Sequence, residues 1–438
     1  MKNLRTFYTL VITQIFSLIG SRMTGIGVGL WVFDRTGNAS PLLIAAFFAE
    51  LPGMALGTFT GLLADRWERR HVIILGDIGQ AAASCILLTS FLTHSFELWH
   101  LYLAMLIQGI FGVIQSPASQ AAITMLVPED QRDRANGIKQ IGFPLAGVIA
   151  PVLAGLVYRE VGLAGVIAID LTTFLIAVVV VTQMTIPRPL QSTESQTLAT
   201  SFWREMAGGW LFLKNRKMLL LMVTYLALIY FLINGPLELA IPYFSTLVNN
   251  DAIIGLLLGV MSLGAFAGAL TIAVVGKVPH RLYAILLGYL MHGLCLILFG
   301  LVRHPILLGL SIFWVMFPLP LTGALFHTLL QTKTPPDMQG RVFAVTDQLF
   351  MLTTPLSFLI TGALVDKVLE PAVGTSAWQL FTPLLGNQAG AGMGLLLVII
   401  GLLISIATLI MLALHGIRHL ETDLPSYAAL AENENDPS

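Results

Sequence analysis

Long apolar runs separated by short polar turns pattern this chain from its first residues almost to its last. The runs are too long and too evenly apolar for surface helices, and they match the roughly 20 residues that a helix needs to cross a bilayer. Twelve spans are predicted, over 8–33, 41–63, 72–92, 98–118, 135–158, 162–184, 218–247, 252–275, 281–302, 305–330, 341–366 and 391–415. Helix is expected for each, because backbone groups in lipid must bond within their own segment. The first run follows Lys2 and Arg5 but shows no small-residue cleavage site, so it reads as a retained span.

The longest polar interruption before the tail falls near the middle and predicts a boundary. Residues 1–187 are expected to form one six-helix bundle and 218–416 a second, with 188–217 as a cytoplasmic linker and 417–438 as an acidic cytoplasmic tail. Within the linker, Gln191 to Gln196 is polar and flexible in composition. After it, Phe202, Trp203, Met206, Trp210 and Leu213 recur at helical spacing opposite Arg204, Lys214 and Arg216, predicting a short helix on the membrane surface. The two halves also repeat. Val127-Pro128-Glu129-Asp130, Arg134 and Gly155 stand 207 residues before Thr334-Pro335-Pro336-Asp337, Arg341 and Gly362. Gly53 and Gly57 match Gly264 and Gly268 at an offset of 211. The expected fold class is therefore an all-α membrane protein of 12 transmembrane helices, in two pseudo-symmetric bundles related by an axis along the membrane normal.

Composition narrows the function classes. Hydrophobic residues make up 56% of the chain and charged ones 11%, so the natural solvent is lipid. A net charge of −1 gives nucleic acid nothing to bind. The two cysteines, Cys85 and Cys295, sit inside apolar runs and read as packing residues, not as a disulfide or metal framework. No phosphate loop, HExxH pair or nucleophile elbow occurs, so neither enzyme chemistry, a cofactor nor a metal is expected. With the amino terminus inside, 18 of the 23 Lys and Arg residues fall in inner loops, against Arg35, Arg159, Arg303 and Lys367 outside and Arg22 within the membrane. Both termini are thereby predicted to be cytoplasmic, in a multi-pass protein of the cell membrane.

Specific residues add a resemblance. Gly61, Asp65, Arg66, Arg69 and Arg70 lie in a dense charged turn between the second and third spans, with Glu68 where a glycine is common. That turn resembles the loop between helices two and three of the major facilitator superfamily, and the span order extends the resemblance over nearly the whole chain. The resemblance implies a cytoplasmic gate in which Asp65 and the arginines meet the helix opening near Gly340 and Arg341, with Asp77 close by. The other reading of this loop is a solvated topology signal. The matching loop of the second half, Gly276 to Arg281, lacks the acid. In the fifth span Gly137, Ala146, Ala150, Pro151, Ala154 and Gly155 are similar to the family's antiporter signature, a helix-packing motif of small residues. Gln108-Gly109-Ile110-Phe111-Gly112 matches part of a proton-coupled exporter signature, but its arginine would fall at Met105. Gly20-Ser21, Trp31 to Ser40, Leu51-Pro52-Gly53 and Ser116-Pro117-Ala118 look like the enterobactin-exporter and macrolide-efflux subgroup.

Charges at membrane depth carry the remaining expectations. Arg22, Glu50 and Glu238 each lie roughly 14–16 Å below the outer surface at 1.5 Å per residue. A lone charge there is costly, on the order of 2.5–3.5 kcal/mol on insertion scales. Arg22 and Glu50 either form a structural ion pair, or Glu50 and Glu238 exchange protons with Arg22 as their partner. Helices one and seven are the most interrupted, and such breaks point to a binding site. The expected cavity residues are Gln14, Arg22, Gln108, Gln115, Asn234, Glu238, Trp314 and His327, while Asp170 and His292 read as peripheral packing. Proton-driven efflux of an amphipathic small molecule by alternating access is the function this implies, for a monomer whose partners are lipid, substrate and protons. A proton-coupled importer and a scaffold or sensor that keeps the fold without transport are the alternatives.

Overall fold

The computed structural model describes residues 2–66, 68–126, 132–184, 208–248, 250–275 and 278–423; through 57–66 and 132–144 it describes the backbone alone. Its main helices are α1 (Lys2–Thr36), α2 (Ser40–Arg66), α3 (Arg69–Leu92), α4 (Leu98–Leu126), α5 (Arg132–Thr182), α6 (Lys217–Glu238), α7 (Ala240–Leu247), α8 (Asp251–Val275), α9 (Arg281–Leu301), α10 (Pro305–Met316), α11 (Pro318–Thr332), α12 (Pro336–Leu364) and α13 (Ala391–Ala413). No strand occurs among the described residues. Ten of the described helical segments are long and apolar enough to cross a membrane. Large apolar side chains such as Phe16, Leu175, Val274 and Ile306 stand exposed on them, as a lipid-facing surface requires.

Glycine and proline set the breaks. α5 runs for 51 residues but turns at Gly162, whose φ of 68° is open to glycine and strained for other residues. Its two arms hold the predicted fifth and sixth spans, and α2 holds the predicted second, with Ser40–Leu56 as its described apolar part. α10 and α11 share one predicted span and part at Phe317, because Pro318 and Pro320 withdraw two ladder donors within three residues. At the end of α12 the chain passes into a turn of π-helix, Val365–Leu369.

Contacts group the chain into two compact units. The first joins Met1–Ser195 with Leu237–Ser262 and Phe358–Val368; the second joins Gln196–Pro236, Leu263–Ser357 and Leu369–Ser438. In the first unit α1 packs along α5, α2 along α4, and α3 against both α4 and α5. The seams use small residues. Ala146, Ala150 and Ala154 are fully buried, and Met23, Ala150, Ala154 and Val166 close one cluster between α1 and α5. α5 then meets the start of α8 backbone to backbone, since a Cβ on Gly155 would stand 2.5 Å from the Asp251 carbonyl oxygen and 3.2 Å from the Gly255 Cα. The Asp366 carboxylate closes the same unit at the α1–α2 turn, accepting from the Ala39 N–H at 2.9 Å and the Ser40 N–H at 2.6 Å. A carboxylate is favourable there because the first amides of α2 have no partner in the helix.

In the second unit α9 packs along α13 and α11. The break in α6 has a visible cause beyond Pro236. The Ser357 hydroxyl, from α12, accepts from the Gly235 N–H at 2.7 Å and donates to the Phe231 carbonyl at 2.5 Å, so it is spliced into the ladder that those two groups would close directly. Ser357→Ala is expected to lower stability by about 1–2 kcal/mol through that pair of bonds. A thermal melt of the purified variant superimposable on the wild type would contradict this. Short helix 208–214 buries Phe212 and Leu213 and leaves Trp210 and Leu211 exposed; Phe202, Trp203, Met206 and Arg204 lie outside the described residues. Arg216 stacks on the Phe212 ring, 3.7 Å from its centre. Part of the acidic tail is docked. Glu421, in the short helix Leu420–Asp423, accepts from the Leu282 N–H at the start of α9 and, through its carbonyl, from the Lys333 ammonium at 2.5 Å. Burial holds the Lys333 ammonium below the ordinary lysine range, with Glu421 opposing that shift and Arg281 adding to it. Residues 424–438 lie outside the described ones.

Candidate functional site

A cavity of about 470 Å³ lies in the first unit. Its walls are Ser21, Arg22, Gly25, Ile26, Val28 and Gly29 of α1, Leu42, Ala45 and Ala46 of α2, Leu101 and Met105 of α4, Pro151 of α5, and Glu238 and Ile241 around the α6–α7 break. Among the described residues the wall is apolar except for one hydroxyl, one guanidinium and one carboxylate. That composition suits an amphipathic guest, since apolar surface supplies the burial and two opposite charges fix its orientation. Local structure explains the positions. The glycines of α1 leave the wall without side chains, and Gly147 in α5 leaves room for the guanidinium, because a Cβ there would stand 3.4 Å from Arg22 Nη1 and 3.2 Å from Ser262 Oγ. Glu238 ends α6 where the Pro236 break turns the chain into α7. Glu50, exposed on α2, stands within electrostatic reach of Glu238 without lining the cavity.

The other predicted cavity residues fall elsewhere. Gln115 is 8% exposed and donates to Asp77 Oδ1 at 2.6 Å; its own oxygen accepts from Gln80 at 2.6 Å. Gln14 joins this buried group from α1, its amide nitrogen enclosed without a hydrogen-bond partner, as is Asp77 Oδ2. Gln108 is half-buried on α4. In the second unit Asn234 donates to Thr354 Oγ1 at 2.8 Å, Trp314 packs edge-on against Phe313 and Phe317, and His327 lies exposed beside Phe343 with Asp347 nearby. None of these six is on the cavity wall. Met105 is, at the place where the resemblance would put an arginine.

Of the predicted gate, the side chains of Asp65, Arg66 and Arg69 lie outside the described ones, as do the surroundings of Gly61 and Gly137. Arg70 donates to the Thr182 carbonyl at the end of α5, and Glu68 meets His71 at 3.5 Å. Arg341 is exposed, its guanidinium 3.8 Å from Met338 Sδ, and its backbone carries Gly209 of the short helix. Asp77 is 1% exposed inside the first unit. His292 is fully buried, its Nδ1 2.7 Å from the Val315 carbonyl. Asp170, expected at the periphery, is fully buried between α1, α3 and α5. Among the described residues no group of His, Cys, Asp and Glu could hold a metal ion.

Comparison with known proteins places this architecture. The macrolide efflux protein A of Streptococcus pyogenes is 26% identical over 386 aligned positions, which cover 86% of this chain and 92% of that protein. The enterobactin exporter EntS of Escherichia coli (strain K12) is 27% identical over 447 aligned positions, covering 98% of this chain and 96% of the exporter. In fold, the chain is similar to the inward-facing, unoccupied structure of a bacterial homolog to the human lysosomal transporter Spinster, with a TM-score of 0.69 at 14% identity, covering 100% of this chain and 99% of that one. The nucleoside transporter NupG is similar at a TM-score of 0.69, 14% identity and 92% and 99% coverage. A family model described as Major Facilitator Superfamily matches residues 10–357, and the chain therefore belongs to that superfamily of multi-pass membrane transporters.

Proposed function

We propose that this protein is a proton-driven exporter of a medium-sized amphipathic molecule, working by alternating access, with both termini in the cytoplasm. The single observation that carries the reading is the cavity, an apolar chamber of about 470 Å³ with Arg22 and Glu238 as the charged groups among its described walls. Its volume falls in the range of small-molecule sites and its wall offers no polar constellation for a sugar or a nucleoside. The efflux function of the macrolide and enterobactin relatives supports the direction and the guest class. Glu238 is the proton carrier in this scheme, Glu50 its near neighbour, and Arg22 the counter-charge that holds substrate or carboxylate in turn. The two bundles, 1–187 and 218–416, would rock as bodies while the cavity changes access.

The test is transport of a macrolide and of enterobactin by purified protein in liposomes under an imposed proton gradient. Glu238→Gln is expected to reduce gradient-driven transport about 5–150-fold, the range of a coupling free energy of about 1–3 kcal/mol. Exchange without a gradient should be affected far less. Full gradient-driven transport in both Glu238→Gln and Glu50→Gln would remove these acids as proton carriers, and uptake into intact cells against a gradient would reverse the direction.

A further inference from the structure

Asp170 has no part in the cavity, yet it is the most completely enclosed carboxylate described, at 0% exposure. Its surroundings are hydroxyls. Ser84 Oγ of α3 donates to Oδ2 at 2.8 Å, Ser21 Oγ of α1 lies 3.2 Å from Oδ1, and the Thr24 hydroxyl, 1% exposed and without a hydrogen-bond partner, faces the group from the next turn of α1. Thr173 Oγ1, on the same helix, is committed to the Asp170 carbonyl at 2.7 Å. Gly20 makes the space, since a Cβ there would stand 3.0 Å from Oδ1. The charged groups on the packed helices are turned away. Arg22 faces the cavity, and Asp77, about two turns along α3, is held by Gln115. No cation among the described residues is paired with Asp170.

We propose that Asp170 is a proton-binding site loaded from the cavity through Ser21. The Ser21 hydroxyl has two acceptors for its one hydrogen, Asp170 Oδ1 at 3.2 Å and the Ser17 carbonyl at 3.1 Å. When the carboxylate is ionised, Ser21 donates to it. When a proton adds to Oδ1, the new O–H donates to Ser21, and Ser21 turns its hydrogen to Ser17. Both protonation states are thus hydrogen-bonded without any helix moving, which a purely structural carboxylate would not need. Ser21 also forms part of the cavity wall, so one hydroxyl separates the carboxyl from a water-accessible chamber. The purpose of such a site rests on the proton-driven reading above, but its existence does not.

Infrared difference spectra of the reconstituted protein, stepped from acidic to alkaline buffer, read the site without any transported substrate. The wild type should lose a protonated-carboxyl C=O band that Asp170→Asn lacks. Ser21→Ala, which keeps the acid, should move the midpoint of that band by about one pH unit, the weight of one hydrogen bond. A wild-type difference spectrum matched by Asp170→Asn overturns the proposal. Should Asp170→Asn fail to fold, an unmoved midpoint in Ser21→Ala overturns it instead. Stabilisation of the wild type by sodium chloride over choline chloride, lost on removing the Ser21 hydroxyl, would also overturn it by making sodium the ligand. Failure of macrolide transport leaves these readouts unaffected, so the two readings fail separately.

Discussion

Replacing Gly255 by leucine is expected to abolish recovery of folded protein. The start of α8 meets α5 with no side chain between them: a Cβ on Gly255 would run into the Pro151 carbonyl oxygen and stand 3.2 Å from the Gly155 Cα. Those atoms are backbone and cannot rotate aside, unlike the end of a flexible side chain. Overpacking a tight seam costs about 1–3 kcal/mol and occasionally more, and a leucine here belongs at the top of that range because either helix must retreat along its length. The retreat would also open the next turn of the seam, where a Cβ on Gly259 would stand 3.0 Å from Val152 Cγ2 and 3.4 Å from the Val148 carbonyl oxygen. The measurement is monodisperse yield and melting temperature of detergent-purified protein. Alanine supplies the control. Gly255→Ala should destabilise, while Gly112→Ala, with nothing within 4 Å of its Cβ, should be neutral or stabilising through helix propensity. Equal melting curves for the two would mean that α8 stands off from α5.

The same seam shows what could be read from the chain beforehand and what could not. Small residues at 146, 150, 154 and 155 mark close helix approaches from spacing alone, but the partners, α1 at Ala150 and Ala154 and α8 at Gly155, are tertiary facts that one helix does not encode. Spans were legible because apolar length is one-dimensional, and the turn at Gly162 because polar Arg159 and Glu160 precede it. Arg22 and Glu238 drew notice because charge is rare at such depth. Gln14 and Gln115 are also polar residues within spans, yet they face Asp77 and not the cavity. A uniformly apolar span has no polar stripe to set its rotation, so depth was readable and direction was not. Asp170 reads as peripheral packing for the same reason. Its significance depends on Ser21 and Ser84 from two other helices turning toward it. Met105 shows the limit of resemblance, which located a wall position but not its chemistry.

Asp77→Leu is expected to lower stability by about 1–3 kcal/mol, whereas Asp77→Asn should leave it almost unchanged. The acid is 1% exposed and holds Gln115, which in turn holds Gln80, so two further side chains, one on α4 and one on α3, depend on one acceptor. Leucine would match the volume but leave the Gln115 amide only its long bond to the Ile73 carbonyl, at 3.3 Å, and would leave Gln14 facing a hydrocarbon. A buried amide left without its partner costs about 1–3 kcal/mol, and the one at stake is Gln115, since Gln14 Nε2 has no partner to lose. Asparagine keeps the Oδ1 acceptor for Gln115. Its NH2 takes the place of Oδ2, and Gln14 can answer by turning its amide to present oxygen. The pair of variants therefore separates two roles that the loop resemblance left joined. If Asp77 is a polar anchor, Asp77→Asn melts and transports like the wild type while Asp77→Leu melts early. If its charge works in the gate, Asp77→Asn will be stable and transport-dead, because only the charge has been removed. The hydrogen-bond pattern favours the anchor: Oδ1 is engaged by a neutral amide, Oδ2 has no donor, and no cation among the described residues is paired with either oxygen.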